Sequence, residues 1–387
     1  MNDESQSIRR ALVTAIGSIC VVGLATGLTL PLVSLRLTQA GAVPATIAAM
    51  AALPAVGTIG VSFCLSGLTR ALGSRMLLIG AMTLSCASVL VLASPYAPML
   101  WMLSRLAMGV STGILFALGE ARVLEVSAGS SRGRWTAVYA MTLTACQFAG
   151  PALLAAAGPD ALTPIVITAL MHLIAIALLI RTGWHSTLSE DEESLSLREF
   201  LCDSLPLAVA VLFFAMFDSA VLSLLPIYGL KIGLTARLAV LTVTVVFLGD
   251  SCLQLPLGWA ADRLARSGAH AACGLLTGVM ALALAFGLFS TPAMWLALFV
   301  MGGAAGGTYT LALVRIGDRF SGARLISANA YVGLLWGAGG LAGPLLGGAA
   351  MQAINPRGLM LFVAAGAFAF LVSMLYRGRP AAGATGP

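Results

Sequence analysis

Four ionisable residues lie inside long apolar stretches of this chain: Asp218, Asp250, Glu120 and Arg105. A charge at the centre of a bilayer costs at least ~2.5–3.5 kcal/mol on insertion scales, so each such residue needs a partner or a function. Asp218 has Phe214 and Leu222 one helical turn away on either side. Because desolvation disfavours a charged carboxyl, this environment suits a group that binds and releases a proton. The alternative is a protonated Asp218 that only hydrogen-bonds to a neighbouring helix.

The other three ionisable residues allow two interpretations each. Asp250, with Gln254 one turn later, either pairs with an inner-loop arginine or takes part in transport. Glu120 ends a stripe of residues at helical spacing, whose glycines predict room for a cavity: Arg105, Gly109, Gly113, Phe116 and Glu120. Glu120 is otherwise an ordinary solvated helix end. Arg105 lies roughly 9 Å below the outer end of its span at about 1.5 Å per residue, which favours a functional role.

Six residues are predicted to line a substrate site: Phe214, Phe116, Gln147, Tyr309, Asn329 and Trp336. The alternative is a helix–helix hydrogen bond for Gln147, core packing for Tyr309 and packing into lipid for Trp336. His172 is interpreted as a structural histidine. The chain has no nucleophile–base pair at motif spacing, no phosphate-binding loop and no HExxH zinc motif, so we expect no enzyme activity, no ATP-driven pumping, no cofactor and no metal site.

The composition is typical of a polytopic membrane protein. Hydrophobic residues make up 59% of the chain and charged residues 9%, against about 25% charged in soluble domains. The net charge of +6 is spread singly over loops without interleaved aromatics, so it does not predict nucleic-acid binding. The seven cysteines are scattered without metal-site spacing and are interpreted mainly as small apolar residues.

Apolar runs long enough to span a bilayer predict an all-α protein. The twelve predicted spans are 11–35, 45–68, 76–94, 98–121, 135–157, 162–181, 205–229, 236–260, 269–290, 293–316, 325–353 and 358–376. The polar stretch between the sixth and seventh spans contains the acidic run 190–193 and predicts a cytoplasmic linker. The predicted organisation is therefore an N-terminal six-helix bundle at 1–181, a linker at 182–204 and a C-terminal six-helix bundle at 205–387.

The two halves repeat the same landmarks in the same order. Basic loops at 66–75 and 258–266 lie 192 positions apart, and the pairs Gly150-Pro151 and Gly343-Pro344 lie 193 apart. Pro31 recurs 195 positions later as Pro226, and each proline is followed five positions on by a basic residue. Three matched offsets predict a duplicated membrane unit.

Basic residues predict the orientation in the membrane. With the N-terminus inside, the inner loops and termini hold 16 arginines, whereas the outer loops hold four arginines and lysines. Because cytoplasmic loops carry the excess of Lys and Arg, both termini are expected in the cytoplasm.

These motifs resemble the major facilitator superfamily in its twelve-helix form, and the drug/proton-antiporter branch in particular. The family loop G-x-x-x-D-R-x-G-R-[KR] is matched in the second half by Gly258, Asp262, Arg263 and Arg266. The first copy departs from it, because Arg70 occupies the aspartate position while Gly73 and Arg75 fit. The resemblance implies that both loops gate the transporter, and an arginine cannot replace the hydrogen-bond-accepting aspartate.

Two further motifs carry the resemblance. The fourth span matches R-x-x-x-G through Arg105 and Gly109, and in the family this arginine is linked to proton coupling. The glycine-proline pairs resemble the antiporter motif, partly at Gly150-Pro151 and more fully at Gly343-Pro344. The resemblance implies helix bends there and favours proton-driven export.

The sequence as a whole predicts a secondary transporter of the bacterial inner membrane that works by alternating access. Two bundles would move around a midplane site and export a small amphiphilic compound in exchange for protons, with the protein acting as a monomer. Proton-coupled import of a small metabolite uses the same parts and stays open. A membrane protein of transporter type that senses or scrambles lipid without proton coupling is the second alternative.

Overall fold

The computed structural model describes residues 2–126, 132–158, 161–182, 195–263, 266–288, 291–320 and 322–375. These residues form twelve α-helices and no strand. The helices are α1 Asn2–Gln39, α2 Pro44–Leu72, α3 Ser74–Val91, α4 Pro98–Val126, α5 Arg132–Ala157, α6 Thr163–Thr182, α7 Leu197–Lys231, α8 Ala236–Arg263, α9 Arg266–Ala285, α10 Thr291–Arg319, α11 Gly322–Ile354 and α12 Arg357–Ser373. Each predicted span falls on one helix, so the all-α membrane fold is confirmed.

Length and hydropathy agree with a membrane location. Within the described residues, ten helical segments are long and apolar enough to cross a bilayer. The apolar parts of α5, Met141–Ala157, and α12, Arg357–Ser373, are shorter. Helices satisfy their own backbone hydrogen bonds, which is why they can cross lipid.

Helix α7 begins earlier than its predicted span. Ser196 and Glu199 form a capping box, in which the Ser196 backbone N–H and hydroxyl donate to Glu199 Oε2 at 2.9 and 2.8 Å. This cap starts the helix at Leu197, inside the stretch predicted as linker. The backbone leaves helical geometry at Ser204, with φ −135° and ψ 31°, so a break separates the first turns from the apolar part. The acidic run 190–193 lies outside the described residues.

The chain divides into two compact units, which are Met1–Leu188 with Leu222–Thr244 (unit 1) and Ser189–Val221 with Val245–Pro387 (unit 2). In unit 1, α1 packs on α5, α2 packs on α4, and α3 packs on both α4 and α6. In unit 2, α9 packs on α10 and α12, and α11 packs on α12. The domain boundaries at 181 and 205 stay a prediction.

Glycines repeat the same helix crossing in both units. In unit 1 a Cβ added at Gly57 of α2 would overlap Leu106 O of α4, and one at Gly109 would overlap Pro54 O. In unit 2 the matching glycines are Gly249 of α8 and Gly302 of α10, whose Cβ atoms would overlap Phe299 O and Val246 O. These pairs lie 192 and 193 positions apart. Because small residues let helix backbones touch in lipid, the predicted repeat has a packing counterpart.

Candidate functional site

Three aromatic side chains from three helices meet in unit 2. Phe214 of α7 stacks on Tyr309 of α10 with ring centroids 5.2 Å apart and an interplanar angle of 19°. Trp336 of α11 lies 5.7 Å from Phe214 and 5.1 Å from Tyr309, nearly edge-on to the tyrosine. We call this group the aromatic cluster. Phe214 is buried, whereas the other two rings are partly exposed, so the cluster offers ring surface for contact with a ligand.

Asp218 lies one helical turn after Phe214 on α7. Only 6% of its surface is exposed. The α7–α11 crossing sets its position, because a Cβ at Gly343 of α11 would overlap Met216 O of α7. The Ser219 hydroxyl strengthens the same crossing by approaching Gly339 O at 3.3 Å. A carboxyl is thus held at buried depth on the same helix as one ring of the aromatic cluster.

Asp250 lies on α8 and is also buried, with 4% of its surface exposed. Gln254 Nε2 donates to Asp250 Oδ1 at 3.1 Å, and a Cβ at Gly306 of α10 would overlap that oxygen. Gly306 therefore provides the space that Asp250 occupies. No ion pair is recorded for Asp250 among the residues the structure describes.

Arg105 is the most deeply buried of the three ionisable candidates whose side chains the structure describes, with 1% of its surface exposed. Its Nη1 donates to Thr29 Oγ1 of α1 at 2.8 Å and approaches Met108 Sδ at 3.6 Å. Its Nε has no hydrogen-bond partner. Within the described residues, this guanidinium is thus bound by neutral groups alone.

The space beside the glycines on the Arg105 face of α4 is filled by other protein atoms. Gly109 packs on Pro54 of α2, and a Cβ at Gly113 would lie 2.7 Å from Val61 Cγ1. Thr58 Oγ1 donates to Gly109 O at 2.9 Å across the same contact. The space predicted as a cavity along this stripe is occupied by α2. The two helices can pack this closely because glycine has no side chain.

The remaining residues predicted to line the substrate site are not members of the aromatic cluster. Phe116 of α4 packs edge-on against Tyr139 of α5 at 6.4 Å within unit 1. Gln147 of α5 is buried, and its backbone carbonyl would overlap a Cβ at Gly27 of α1. Gln147 therefore lies at the crossing of α1 and α5, and its role in substrate binding stays a prediction. The side chains of Glu120 and Asn329 lie outside the described residues, although their backbones are helical in α4 and α11.

The first-half gating loop shows why a glycine and an arginine occur there. Gly73 joins α2 to α3 with φ +75°, a conformation that favours glycine, and its N–H caps α2 at Thr69 O. Arg75 Nη2 donates to Ile180 O near the end of α6 at 2.9 Å. Arg70 is exposed. Gating by this loop stays a prediction, and the second-half side chains lie outside the described residues: Gly258, Asp262, Arg263 and Arg266.

Both glycine-proline pairs lie inside continuous helices, α5 and α11. The glycine of each pair is a point of close approach, since a Cβ at Gly150 would overlap Leu28 N and one at Gly343 would overlap Met216 O. Pro151 and Pro344 remove one backbone donor each at these crossings. A bend at either pair stays a prediction.

A histidine cluster in unit 2 was missed by the sequence analysis. His270 Nε2 lies 2.8 Å from Thr308 O, so it carries the proton, and Nδ1 accepts from Arg315 Nη1 at 3.0 Å. The ring packs on Phe370 of α12 at 4.7 Å. This cluster ties α9 to α10 and α12. The sequence shows a histidine near the start of an apolar helix, but its spacing to other residues does not predict its partners, which lie 38 and 45 residues away.

His172, interpreted as a structural histidine, bridges two helices of unit 1. Its Nδ1 lies 2.7 Å from Thr168 O, which can only accept, so Nε2 accepts from the Ser85 hydroxyl of α3 at 2.9 Å. The ring is fully buried. The contact joins α6 to α3 inside unit 1.

We expect His172→Leu to lower the free energy of unfolding by ~1–3 kcal/mol, because the buried Ser85 hydroxyl loses its partner across the interface. Adding Ser85→Ala to His172→Leu should recover part of this loss, since both polar groups are then removed. Thermal unfolding of the purified protein measures both variants. A double variant that is no more stable than His172→Leu would contradict the pairing.

The described residues hold no group of three His, Cys, Asp or Glu side chains that suits a metal ion. The chemistry available at the aromatic cluster and the buried acids is therefore ring contact, hydrogen bonding and proton exchange.

Comparison with known proteins gives one family. The Major Facilitator Superfamily model matches residues 15–249 and 207–387. An uncharacterized MFS-type transporter of Bacillus subtilis (strain 168), YfkF, is 23% identical over 356 residues, covering 89% of this chain and 90% of the relative. A crystal structure of the nucleoside transporter NupG (D323A mutant) aligns with a TM-score of 0.72 and 12% identity, covering 95% of this chain and 99% of that chain. At this identity the structural likeness shows the fold alone.

Proposed function

This chain belongs to the major facilitator superfamily of membrane transporters, and we propose that it exports a small amphiphilic organic compound in exchange for protons. One observation carries the proposal: the aromatic cluster lies one helical turn from the buried carboxyl of Asp218. The rings supply flat apolar contact, and the carboxyl supplies a group that can gain and lose a proton.

The buried acids are the proposed proton carriers, with Asp218 first and Asp250 and Glu120 as further candidates. Asp218 and Asp250 are both buried on helices whose crossings are set by glycines. A carboxyl in such surroundings is neutral when protonated and costly when charged, so proton loss can be tied to a change of conformation or ligand. Arg105, with its unpartnered Nε, is proposed to tune the proton-binding groups.

The amphiphilic nature of the cargo follows from the mixture of groups. Phe214, Tyr309 and Trp336 provide ring faces, and Tyr309 and Trp336 also carry polar atoms. The cluster contains no arginine or lysine that would select phosphate or a dicarboxylate. The name of the nucleoside transporter does not choose the cargo here, because that protein shares only the fold.

The proposed setting is the bacterial inner membrane, with a monomeric protein and both termini in the cytoplasm. The excess of arginine in the predicted inner loops supports this orientation. The two bundles are proposed to alternate between inward and outward access around a midplane site.

Proton release on ligand addition tests this function. Purified protein in weakly buffered detergent is mixed with a panel of lipophilic amines, sugars, amino acids and nucleosides, and the change in pH is recorded. Release with one compound class supports proton exchange with that cargo. Binding without any release would contradict proton coupling.

Vesicles separate export from import. Protein reconstituted in one known orientation, with an imposed pH gradient, should move the identified compound against the proton flow. Movement of compound and protons in the same direction would instead support the importer, and transport that is independent of the gradient would remove proton coupling.

We expect Trp336→Leu to weaken binding of the identified compound about tenfold, or ~1.4 kcal/mol, because it removes one ring of the aromatic cluster. Trp295→Leu is the matched control, since Trp295 also belongs to unit 2 and has no recorded ring contact with the cluster. Isothermal titration measures both variants. Equal loss in the two variants would contradict a specific role of the cluster.

A further inference from the structure

Two cysteines that are far apart in the sequence meet in unit 1. The side chains of Cys20 on α1 and Cys146 on α5 lie close enough to interact with each other. Both side chains are partly exposed and both are free thiols. The spacing in the sequence gives no hint of this pair.

Backbone packing holds the two thiols together. Gly23 lies one turn after Cys20 on the same face of α1, and a Cβ there would lie 2.9 Å from Cys146 Cβ and 2.6 Å from Leu143 O. The crossing continues one turn later, where Gly27 packs on Gln147. The two cysteines therefore lie at a close approach of α1 and α5.

The other cysteines in the described part of the chain have different surroundings. Cys64 donates to Gly60 O of its own helix at 3.6 Å, and Cys86 approaches Ala169 O at 3.9 Å. Cys202 and Cys252 are exposed without a recorded thiol neighbour. The thiol contact is specific to Cys20 and Cys146 among these residues.

We propose that Cys20 and Cys146 form a reversible disulfide when hydrogen peroxide reaches them, which makes this crossing a redox-modification site. One thiolate attacks a peroxide oxygen, the O–O bond breaks, and a sulfenic acid and one water are formed. The second thiol then attacks the sulfenic sulfur, the S–S bond forms, and the sulfenic oxygen leaves as a second water. The two electrons come from the two sulfurs, and both thiol protons end in water. Two small thiols reverse the reaction by exchange and leave as their own disulfide.

The disulfide joins α1 covalently to α5 at their crossing. Intracellular disulfides in ordinary proteins are mostly transient and redox-sensing, which fits a pair that is reduced at rest. The site belongs to a packing face, so its oxidation does not depend on which compound the protein transports.

Differential alkylation of the full-length protein in membrane vesicles tests the proposal. Vesicles are treated with hydrogen peroxide, free thiols are blocked with light N-ethylmaleimide, and the protein is then reduced and labelled with the heavy reagent. We expect Cys20 and Cys146 to gain heavy label together, by at least ~10-fold over untreated vesicles, and a cross-linked peptide to contain both residues before reduction.

Single serine variants give the matched controls. In Cys146→Ser and in Cys20→Ser the cross-linked peptide should be absent, because the remaining cysteine lacks the partner thiol that converts a sulfenic acid to a disulfide. No cross-linked peptide should contain Cys64 or Cys252 in any variant. Unchanged melting temperatures of the unoxidised variants show that they are folded. Oxidised vesicles of the original protein that give no cross-linked peptide containing both residues, or heavy labelling of the pair no greater than that of Cys64, would overturn the proposal.

Discussion

In the Asp218→Asn variant, ligand-driven proton release is expected to fall below detection, a loss of at least ~100-fold in proton-coupled transport. Asparagine keeps the size and hydrogen-bonding ability of the side chain, but it cannot bind and release a proton at any physiological pH. The position is buried beside Phe214, so water cannot easily substitute for the missing carboxyl. Ligand binding itself should persist, because the aromatic cluster is unchanged.

The measurement is proton release beside ligand binding on the same preparation. Asp203→Asn is the matched control: Asp203 lies on the same helix but before the break at Ser204, and it is only partly buried. It should release protons like the original protein. If Asp218→Asn retained release while Asp250→Asn lost it, Asp250 would be the proton carrier and the assignment of Asp218 would be wrong.

Gly57→Ala is expected to lower the free energy of unfolding by ~1–3 kcal/mol. The added Cβ would overlap Leu106 O and lie 2.8 Å from Val110 N, so backbone atoms of α4 would have to move. A flexible side chain could yield to such a clash, but two packed helix backbones can do so only by separating. Unit 1 would thus lose part of its α2–α4 interface.

Gly60→Ala is the control on the same helix, since a Cβ there meets nothing within 4 Å. It should leave the thermal unfolding temperature unchanged or raise it slightly, because alanine has the higher helix propensity. The repeat predicts the same contrast in unit 2, where Gly302→Ala clashes with Val246 O and Gly317→Ala on the same helix meets open space. Equal melting temperatures for Gly57→Ala and Gly60→Ala would contradict the close backbone contact.

The periodic and compositional features were predictable from the sequence. Twelve apolar runs, the offsets of the glycine-proline pairs and the loop motif led to the helices, the repeat and the family. These features depend on hydropathy and helix length, which are local properties of the chain. The bilayer makes them decisive, because a span has to be long, apolar and helical to cross it.

Part of the candidate site was also accessible from the sequence. Asp218 and Phe214 had to share a helix face, because one turn separates them. Gln254 was placed one turn after Asp250, and the hydrogen bond between them follows from that spacing. Within one helix, side-chain proximity is a matter of counting residues.

Contacts between helices were decided by the tertiary structure alone. Tyr309 and Trp336 join Phe214, Thr29 binds Arg105, and Cys20 meets Cys146 only because particular helix faces are turned toward each other. Those rotations are set where glycines let backbones touch, and a glycine in an apolar run shows no partner in the sequence. The stripe along α4 illustrates this: its glycines predicted a cavity, whereas α2 fills the space. Hydropathy determines that a helix crosses the membrane, and the packing of side chains between helices determines which of its residues meet.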